Sequence, residues 1–584
     1  MAYGIYAADA VRFNSRVRER VLSFGIPEYN TYPQNRNFRM EEKKESQQIE
    51  FSKGSNAGDT ENQHPDDDAE EFHWNLPIFL NLLALFACYF SSTWALIVPS
   101  ASIPFIVARF PQQARIAAWI AASVSIPNCV LQAFMGELSD ILGRKPFLIT
   151  GQVLNGVGLT LGYLAIPLVA EVVPKDKRPM LQGIAGIIAG LASIAGPIIQ
   201  GAFIKHNVGG VNEGWRAGFY MSAGFFAMTL VLLVLFYHPA TRPSAEGGMS
   251  VSRRILEIDW LGVFLVASGL VLFLVGLQYG GNPYPWTSAR VLCTLIIGAV
   301  LLISFGFYNG FIRKDGILHH ALFEHRNFAI CQVLSFVGGF VLFGGQAYLP
   351  QEITNLFTRD AVLTGVYNLP FNFLSIVGSF GAGAIMGKTK EAKTLVVVSF
   401  VLFLVGSGLM AVMQPHINFA AWFFPTAILG MAVGASTLVL AVVVSLCTPN
   451  EYIAHAMSLL ASSRAFGGSI GITIFEQIFS SKEKDILPGK ISTAVLDAGL
   501  PSSSLEEFLI GSEHGITSAL LNIPGVSQAV LEAGSSAMVQ GLADSYRFIW
   551  YSLIPFAFVT LVLAFFLMST KAQMTRQVAA GIRH

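Results

Sequence analysis

The sequence predicts an all-α polytopic membrane protein, and three observations carry that prediction. Of 584 residues, 53% are hydrophobic and only 13% charged, where a soluble domain carries about a quarter charged residues. The apolar residues gather in runs long enough to cross a bilayer, which takes about 20 residues each. Short clusters of lysine and arginine separate the runs. Backbone amides in hydrocarbon find no water to bond, so each run closes its own hydrogen bonds as a helix.

In chain order, residues 1–75 come first and are polar. They hold clusters such as Glu41-Glu42-Lys43-Lys44-Glu45 and Asp66-Asp67-Asp68. Such a composition cannot bury enough apolar surface to fold alone, so a disordered cytoplasmic tail is expected. The first apolar run begins near Leu76, too late and too long for a cleaved signal peptide. About thirteen spans follow by length and hydropathy, at 77–99, 115–136, 147–171, 180–204, 216–237, 260–280, 290–312, 327–349, 361–387, 393–413, 421–446, 454–480 and 547–568. Residues 481–546 are too polar to span. They read as an external loop with amphipathic helices on the membrane surface.

Basic loops set the orientation, because lysine and arginine favour the cytoplasmic side. Arg144-Lys145, Lys175 to Arg178, Arg253-Arg254, Arg313-Lys314, Lys388 to Lys393 and Lys571 with Arg576 are those loops. Both chain termini are then cytoplasmic. Counting back from the C-terminus leaves one conflict. A single crossing over 147–171 puts Arg144-Lys145 and Lys175–Arg178 on opposite sides. Two helices and a turn need about 40 residues, and roughly 30 are present. Either a span has been lost or the helices there are short and re-entrant.

Several function classes are excluded. Net charge is zero, giving no reason to expect a nucleic-acid partner. The five cysteines, Cys88, Cys129, Cys293, Cys331 and Cys447, lie inside apolar runs without metal-ligand spacing and read as small buried hydrophobes. No P-loop, dinucleotide fingerprint, zinc helix or nucleophile elbow is present. The expectation is a protein that is not an enzyme, holds no metal or cofactor, and has no ATPase of its own.

Gly136-Glu137-Leu138-Ser139-Asp140-Ile141-Leu142-Gly143-Arg144-Lys145 follows the second run. Gly136 permits close helix approach, and Gly143 permits a tight turn. Asp140 can pair with Arg144 or face a helix N-terminus. The segment matches every position of G-x-L-x-D-x-x-G-R-[RK], the loop signature of the major facilitator superfamily, which the chain therefore resembles. The resemblance implies a conformational latch at Gly136, Leu138, Asp140, Gly143, Arg144 and Lys145. Gly183, Ala192, Gly196, Pro197 and Gly201 resemble the superfamily's antiporter signature, with Ala192 and Gln200 departing from it. Small residues so spaced let helices touch, and Gly-Pro bends the helix.

Further resemblances narrow the branch. Trp215-Arg216-x-x-Phe219 resembles the family's entry to a span. Asp259-Trp260-Leu261-Gly262 with Tyr284-Pro285-Trp286 resembles the extra central pair of 14-span drug:proton antiporters. Phe236 to Thr241 and Leu349-Pro350-Gln351-Glu352-Ile353 are similar to fungal trichothecene-type efflux pumps. This implies two pseudo-symmetric helical bundles with two extra spans between them and about one span missing near 146–175. A degenerate echo of the loop signature at Gly383 to Lys390 is consistent with paired bundles. The implied organisation is a first bundle over 76–240 and a linker with extra spans over 241–320. The second bundle follows over 321–480, then the outer loop over 481–546, and a last span with a short tail over 547–584.

Polar residues inside spans are costly and face a cavity or a partner. Asn128 with Gln132 and Asn368 with Asn372 share helix faces at i, i+4. With Gln346 and the aromatics Tyr89, Trp94, Tyr348 and Tyr367 they form the candidate substrate cavity, though each could equally bond or pack between helices. Candidates for proton coupling are Glu171, Glu352, Arg464 and Glu476. The three glutamates could also be interfacial groups reaching water. The expected function is export of a hydrophobic toxin, drug or secondary metabolite in exchange for protons. The expected protein is a monomer, multi-pass in the lipid bilayer of the plasma membrane. Proton-coupled uptake, as of an iron-siderophore, and a transport-defective variant are the alternatives.

Overall fold

A computed structural model describes residues 74–110, 118–153, 161–211, 213–239, 258–281, 284–313, 316–358, 360–414, 419–513 and 523–574. The tail expected over 1–75 lies almost wholly outside them. The described chain is helical, and its apolar runs become helices close to where hydropathy placed them. In order these are α1 (Leu76–Arg109), α2 (Ala118–Leu142), α3 (Arg144–Val153), α4 (Ala165–Val172), α5 (Arg178–Lys205) and α6 (Trp215–Phe236). Next come α7 (Trp260–Tyr279), α8 (Ala289–Phe307), α9 (Arg326–Leu356), α10 (Ala361–Tyr367), α11 (Leu369–Thr389) and α12 (Ala392–Ala411). The last are α13 (Phe419–Cys447), α14 (Ile453–Asp497), α15 (Leu505–Glu513) and α16 (Gln528–Ala564).

Local chemistry sets several boundaries. The Asp259 carboxylate accepts from the Gly262 N–H at 3.0 Å and caps α7, and Asp360 accepts from Val362 N–H at 2.8 Å to cap α10. Gly143 sits at φ 93°, a conformation that costs a side-chain-bearing residue about 1–2 kcal/mol. It lets the chain turn between α2 and α3 with one residue.

Among the described residues, ten helices are long and apolar enough to cross a membrane. Three of the expected spans fall outside that set, and the reason is physical. α2 and α14 are long enough but carry polar and small residues, including Asn128, Gln132, His455 and Arg464, that look inward rather than to lipid. The run expected at 147–171 is two short helices, α3 and α4, instead of one span. A Cβ on Gly151, near the end of α3, would collide with Leu161, so the chain comes back on itself before α4. The far ends of α3 and α4 are held together by an ion pair between Arg144 and Glu171.

The helices fall into two groups by contact. α1 packs on α4, α5 and α6, and α3 packs on α6. In the other group α13 packs on α9, α11 and α12, while α16 packs on α9, α12 and α14. Two seams join the groups, α2 against α14 and α5 against α10 and α11. The pair α7–α8 lies beside α2 and α14. Of the cysteines, Cys88, Cys129, Cys331 and Cys447 are buried as expected, but Cys293 is exposed on α8.

The segment expected as a surface loop, 481–546, is mostly a continuation of its neighbours. α14 runs for 45 residues and α16 for 37, well beyond the roughly 20 that cross a bilayer. Their projecting ends close over α15 in a small core of Ile491, Val495, Leu500, Phe508, Ile523 and Val530. Lys490 pairs with Asp544 across the hairpin. The apolar faces that read as membrane-surface helices are satisfied by one another.

Candidate functional site

Between the two helix groups lies a cavity of about 200 Å³. Tyr89 and Thr93 reach it from α1, Asn128 and Gln132 from α2, and Tyr163 from just before α4. Gln182 and Ser193 come from α5, Gln346 from α9, Asn372 and Ser379 from α11, Thr437 from α13 and Arg464 from α14. The remaining wall is apolar, with Phe343, Phe371, Leu438 and Met457 among its members. An apolar chamber with a few convergent polar groups is the usual form of a small-molecule site.

Glycines make the chamber possible. Gly186 and Gly190 of α5 abut Ser379 and Ile376 of α11 so closely that no Cβ would fit at either position. The antiporter-like residues divide between two neighbours. Gly183 faces Phe380 of α11, with 3.4 Å between an added Cβ and the Phe380 Cα. Ala192 is buried among Trp94 and Val98 of α1, Gly196 looks toward Ile97, and Gly201 is buried. Pro197 sits inside α5.

The structure brings Tyr89, Asn128, Gln132, Gln346 and Asn372 together in the chamber, along with Arg464. Gln132 Nε2–H donates to Asn128 Oδ1 at 2.7 Å, while Gln132 Oε1 is buried without a partner among the described residues. Four expected cavity residues are elsewhere. Trp94 is fully buried against Phe90 and Phe225, whose centroids lie 6.1 and 5.1 Å away. Tyr348 Oη–H donates to Glu476 Oε2 at 2.7 Å behind the chamber wall. Tyr367 and Asn368 sit at the break between α10 and α11, where the Asn368 carbonyl receives the Asn372 amide at 3.4 Å.

Tyr163, Gln182 and Thr437 line the chamber without having stood out in the sequence. Gln182 is the most informative, because both of its side-chain polar atoms are buried without a partner among the described residues. The available signal was a glutamine set one turn inside an otherwise apolar run.

The candidate coupling groups separate as well. Glu171 does not face the chamber but pairs with Arg144. Glu352 is buried in the last two turns of α9 and accepts from Trp550 Nε1–H at 3.1 Å. Glu476 holds Tyr348. Arg464 alone of the four lines the chamber.

The loop signature gathers a different cluster at the end of the seams that carries Gly143. An added Cβ on Gly136 would lie 2.5 Å from the Cα of His455, so α2 and α14 touch backbone to backbone there. His455 in turn contacts the Ile317 carbonyl. Leu138 packs against the main core. Lys145 Nζ donates to the Val234 carbonyl at 3.0 Å, near the end of α6. Arg178, fully buried, donates from Nη1 to the Ser445 carbonyl at 2.7 Å and so links the two groups. Arg144 pairs with Glu171; the Asp140 side chain, and with it the expected Asp140–Arg144 pair, lies outside the described residues. At the other end of α5, Lys205 Nζ donates to Asp360 Oδ2 at 2.7 Å.

Two membrane-length helix groups closed around an amide-lined chamber define a transmembrane small-molecule transporter. Residues 65–583 match the fungal trichothecene efflux pumps, and the chain belongs to that family, within the major facilitator superfamily. It is an efflux transporter. It is 26% identical to the efflux pump mokI of Monascus pilosus over 73% of this chain and 85% of that one. With the aspyridones efflux protein of Neocamarosporium betae it shares 23% identity over 72% and 79%. Among solved structures, the proton:xylose symporter XylE aligns over 82% of this chain and 96% of that chain, at 14% identity and a TM-score of 0.47.

Proposed function

We propose that the chamber is the transport site and that the two helix groups rock about it, exporting an apolar small molecule in exchange for protons. The observation that carries this reading is the chamber itself, walled by both groups and lined by amides with unused hydrogen-bonding capacity. The related efflux pumps, one of them named for efflux of aspyridones, support the same direction.

On this reading the end carrying Gly143, Arg144 and Arg178 faces the cytoplasm, as its charge favours. The Arg144–Glu171 pair supports treating α3 and α4 as a hairpin that enters and leaves on one side. Twelve crossings in the plasma membrane then put both termini in the cytoplasm and every basic loop inside, which removes the parity conflict. The shortened segment contributes Tyr163, Ile166 and Pro167 to the chamber wall. That favours a competent carrier over a defective one.

Proton exchange needs an ionisable group that the bilayer isolates from water. Glu352, with Trp550 as its donor, is the carboxyl that fits best. Expression in a pump-deficient fungal host is expected to raise tolerance to apolar toxins, and a protonophore is expected to remove the effect. Faster accumulation of the toxin instead of slower would establish uptake. Unaltered tolerance across a broad panel, with protein at the cell surface, refutes export.

A further inference from the structure

Among the described residues the chamber holds one fixed charge. Arg464 reaches it from α14, and no aspartate or glutamate stands among its described lining residues. The phenols of Tyr89 and Tyr163, neutral hydrogen-bond donors, line the same chamber. These two rings meet edge to face at 5.5 Å and form one corner of the chamber. A cation inside a membrane span normally finds a carboxylate, because an uncompensated charge there is costly. The obvious candidates are all engaged elsewhere: Glu171 with Arg144, Glu476 with Tyr348, and Glu352 with Trp550.

Hydrogen-bond donors accumulate around the same space. Arginine offers five N–H groups in a planar fork suited to a carboxylate. The Gln182 amide, buried without a partner among the described residues, adds more. Around them the wall is apolar, so a ligand must supply both a hydrophobic body and the missing negative charge.

We infer that the chamber binds apolar organic acids, with the carboxylate of the substrate as the counter-ion of Arg464. The inference rests on the chamber being the transport site and adds the charge of the cargo. Charge on the substrate then does two things. It completes the electrostatics of α14 only when the site is filled, and it selects against amines that a neutral apolar pocket would accept.

The test uses purified full-length protein and three fluorescent probes of matched shape: 2-naphthylacetic acid, its methyl ester, and 2-naphthylmethylamine. At neutral pH the wild type is expected to bind the acid at least tenfold tighter than the ester and the amine least of all. In Arg464→Gln the acid-to-ester ratio is expected to fall to near one, whereas Arg464→Lys keeps a preference for the acid. Thermal melting of each variant reports folding, and the three-probe series on the wild type decides the matter even where Arg464→Gln fails to fold. Equal binding of acid and ester by the wild type, a preference for the amine, or an unaltered ratio in a folded Arg464→Gln would overturn the inference. Because binding is read without a gradient, it is independent of export. Protein that exports neutral toxins yet ignores the carboxylate refutes only this inference, and protein that prefers the acid but exports nothing refutes only the efflux reading.

Discussion

Arg144, the first residue of α3, forms an ion pair with Glu171, in the last turn of α4. Glu171 is fully buried and Arg144 nearly so, with side-chain exposures of 0% and 10%. The pair ties together the two ends of a hairpin too short to cross a bilayer twice. It also gives a loop-signature arginine a tertiary role.

Breaking a buried ion pair by removing one partner costs about 3–5 kcal/mol. Glu171→Gln and Arg144→Ala are therefore each expected to lower the melting temperature of the purified protein and to abolish export. The charge-swapped double variant is expected to recover part of the loss. Independent, additive effects in the double-mutant cycle would show that the two residues do not act as a pair.

Gly136 is a test of the seam between α2 and α14. An alanine there places a methyl group 2.5 Å from the His455 Cα, and neither backbone can yield without separating the helices. Gly136→Ala is expected to cut export at least about tenfold by opening this contact, since interfaces of packed helices switch rather than deform smoothly. Solvent labelling of a cysteine at position 455 should rise in parallel. Full export with an unlabelled Cys at 455 would remove the seam from the cycle.

Much of this was legible in the sequence, and the remainder was not for identifiable reasons. Hydropathy locates helices because lipid penalises any other backbone, and Gly143 announces its turn because few residues tolerate φ 93°. Asn128 and Gln132 reveal an inward face by their spacing. The role of Trp94 is different, because a buried tryptophan packing on Phe225 and one lining a cavity look alike from periodicity alone. Arg144 and Glu171 meet only after a hairpin folds back, so no local spacing advertises them. The polar residues within α2 and α14 have a plain cause: the inward faces of these helices trade apolar residues for chamber-lining ones.

Trp94 and Gln132 should accordingly part company when mutated. Trp94→Ala removes a fully buried ring and is expected to cost about 3–5 kcal/mol, read as a lower melting temperature with unaltered substrate selectivity. Gln132→Leu keeps the volume but loses the 2.7 Å bond to Asn128 and a buried acceptor. It is expected to shift apparent KM several-fold with little change in melting temperature. A selectivity change in Trp94→Phe would return that ring to the site.

The contact at the other end of α5 is pH-dependent. The hydrogen bond from Lys205, with those from the Leu363 and Val362 N–H groups, holds the Asp360 carboxyl below its ordinary range. A depressed folded-state value means that the contribution is complete above the unfolded value, about 3.9, and disappears as pH falls through the lower folded one. A pair of spin labels at positions 198 and 365, where α5 and α10 touch, should separate on acidification below about pH 4. Asp360→Asn should be separated at all pH values. A distance that is constant from pH 7 to 3 in the wild type argues that the ion pair does not hold this end.

Glu352 offers the cleanest separation of binding from energy coupling. Its Oε2 accepts from Trp550 Nε1–H of α16 at 3.1 Å, and its side chain is buried. Glutamine at 352 matches its shape, and its amide oxygen can still accept from Trp550, but it cannot carry a proton. Glu352→Gln should therefore fold normally and exchange substrate across a vesicle membrane at the wild-type rate, since exchange needs only the rocking of a loaded carrier. If export is exchanged for protons, net export against a gradient needs the carrier to return with a proton, and in Glu352→Gln it is expected to fall to background even when an inward proton gradient is imposed. Proton-driven accumulation that survives in this variant would place the coupling group elsewhere, and loss of exchange together with accumulation would make Glu352 a structural acceptor for Trp550 and nothing more.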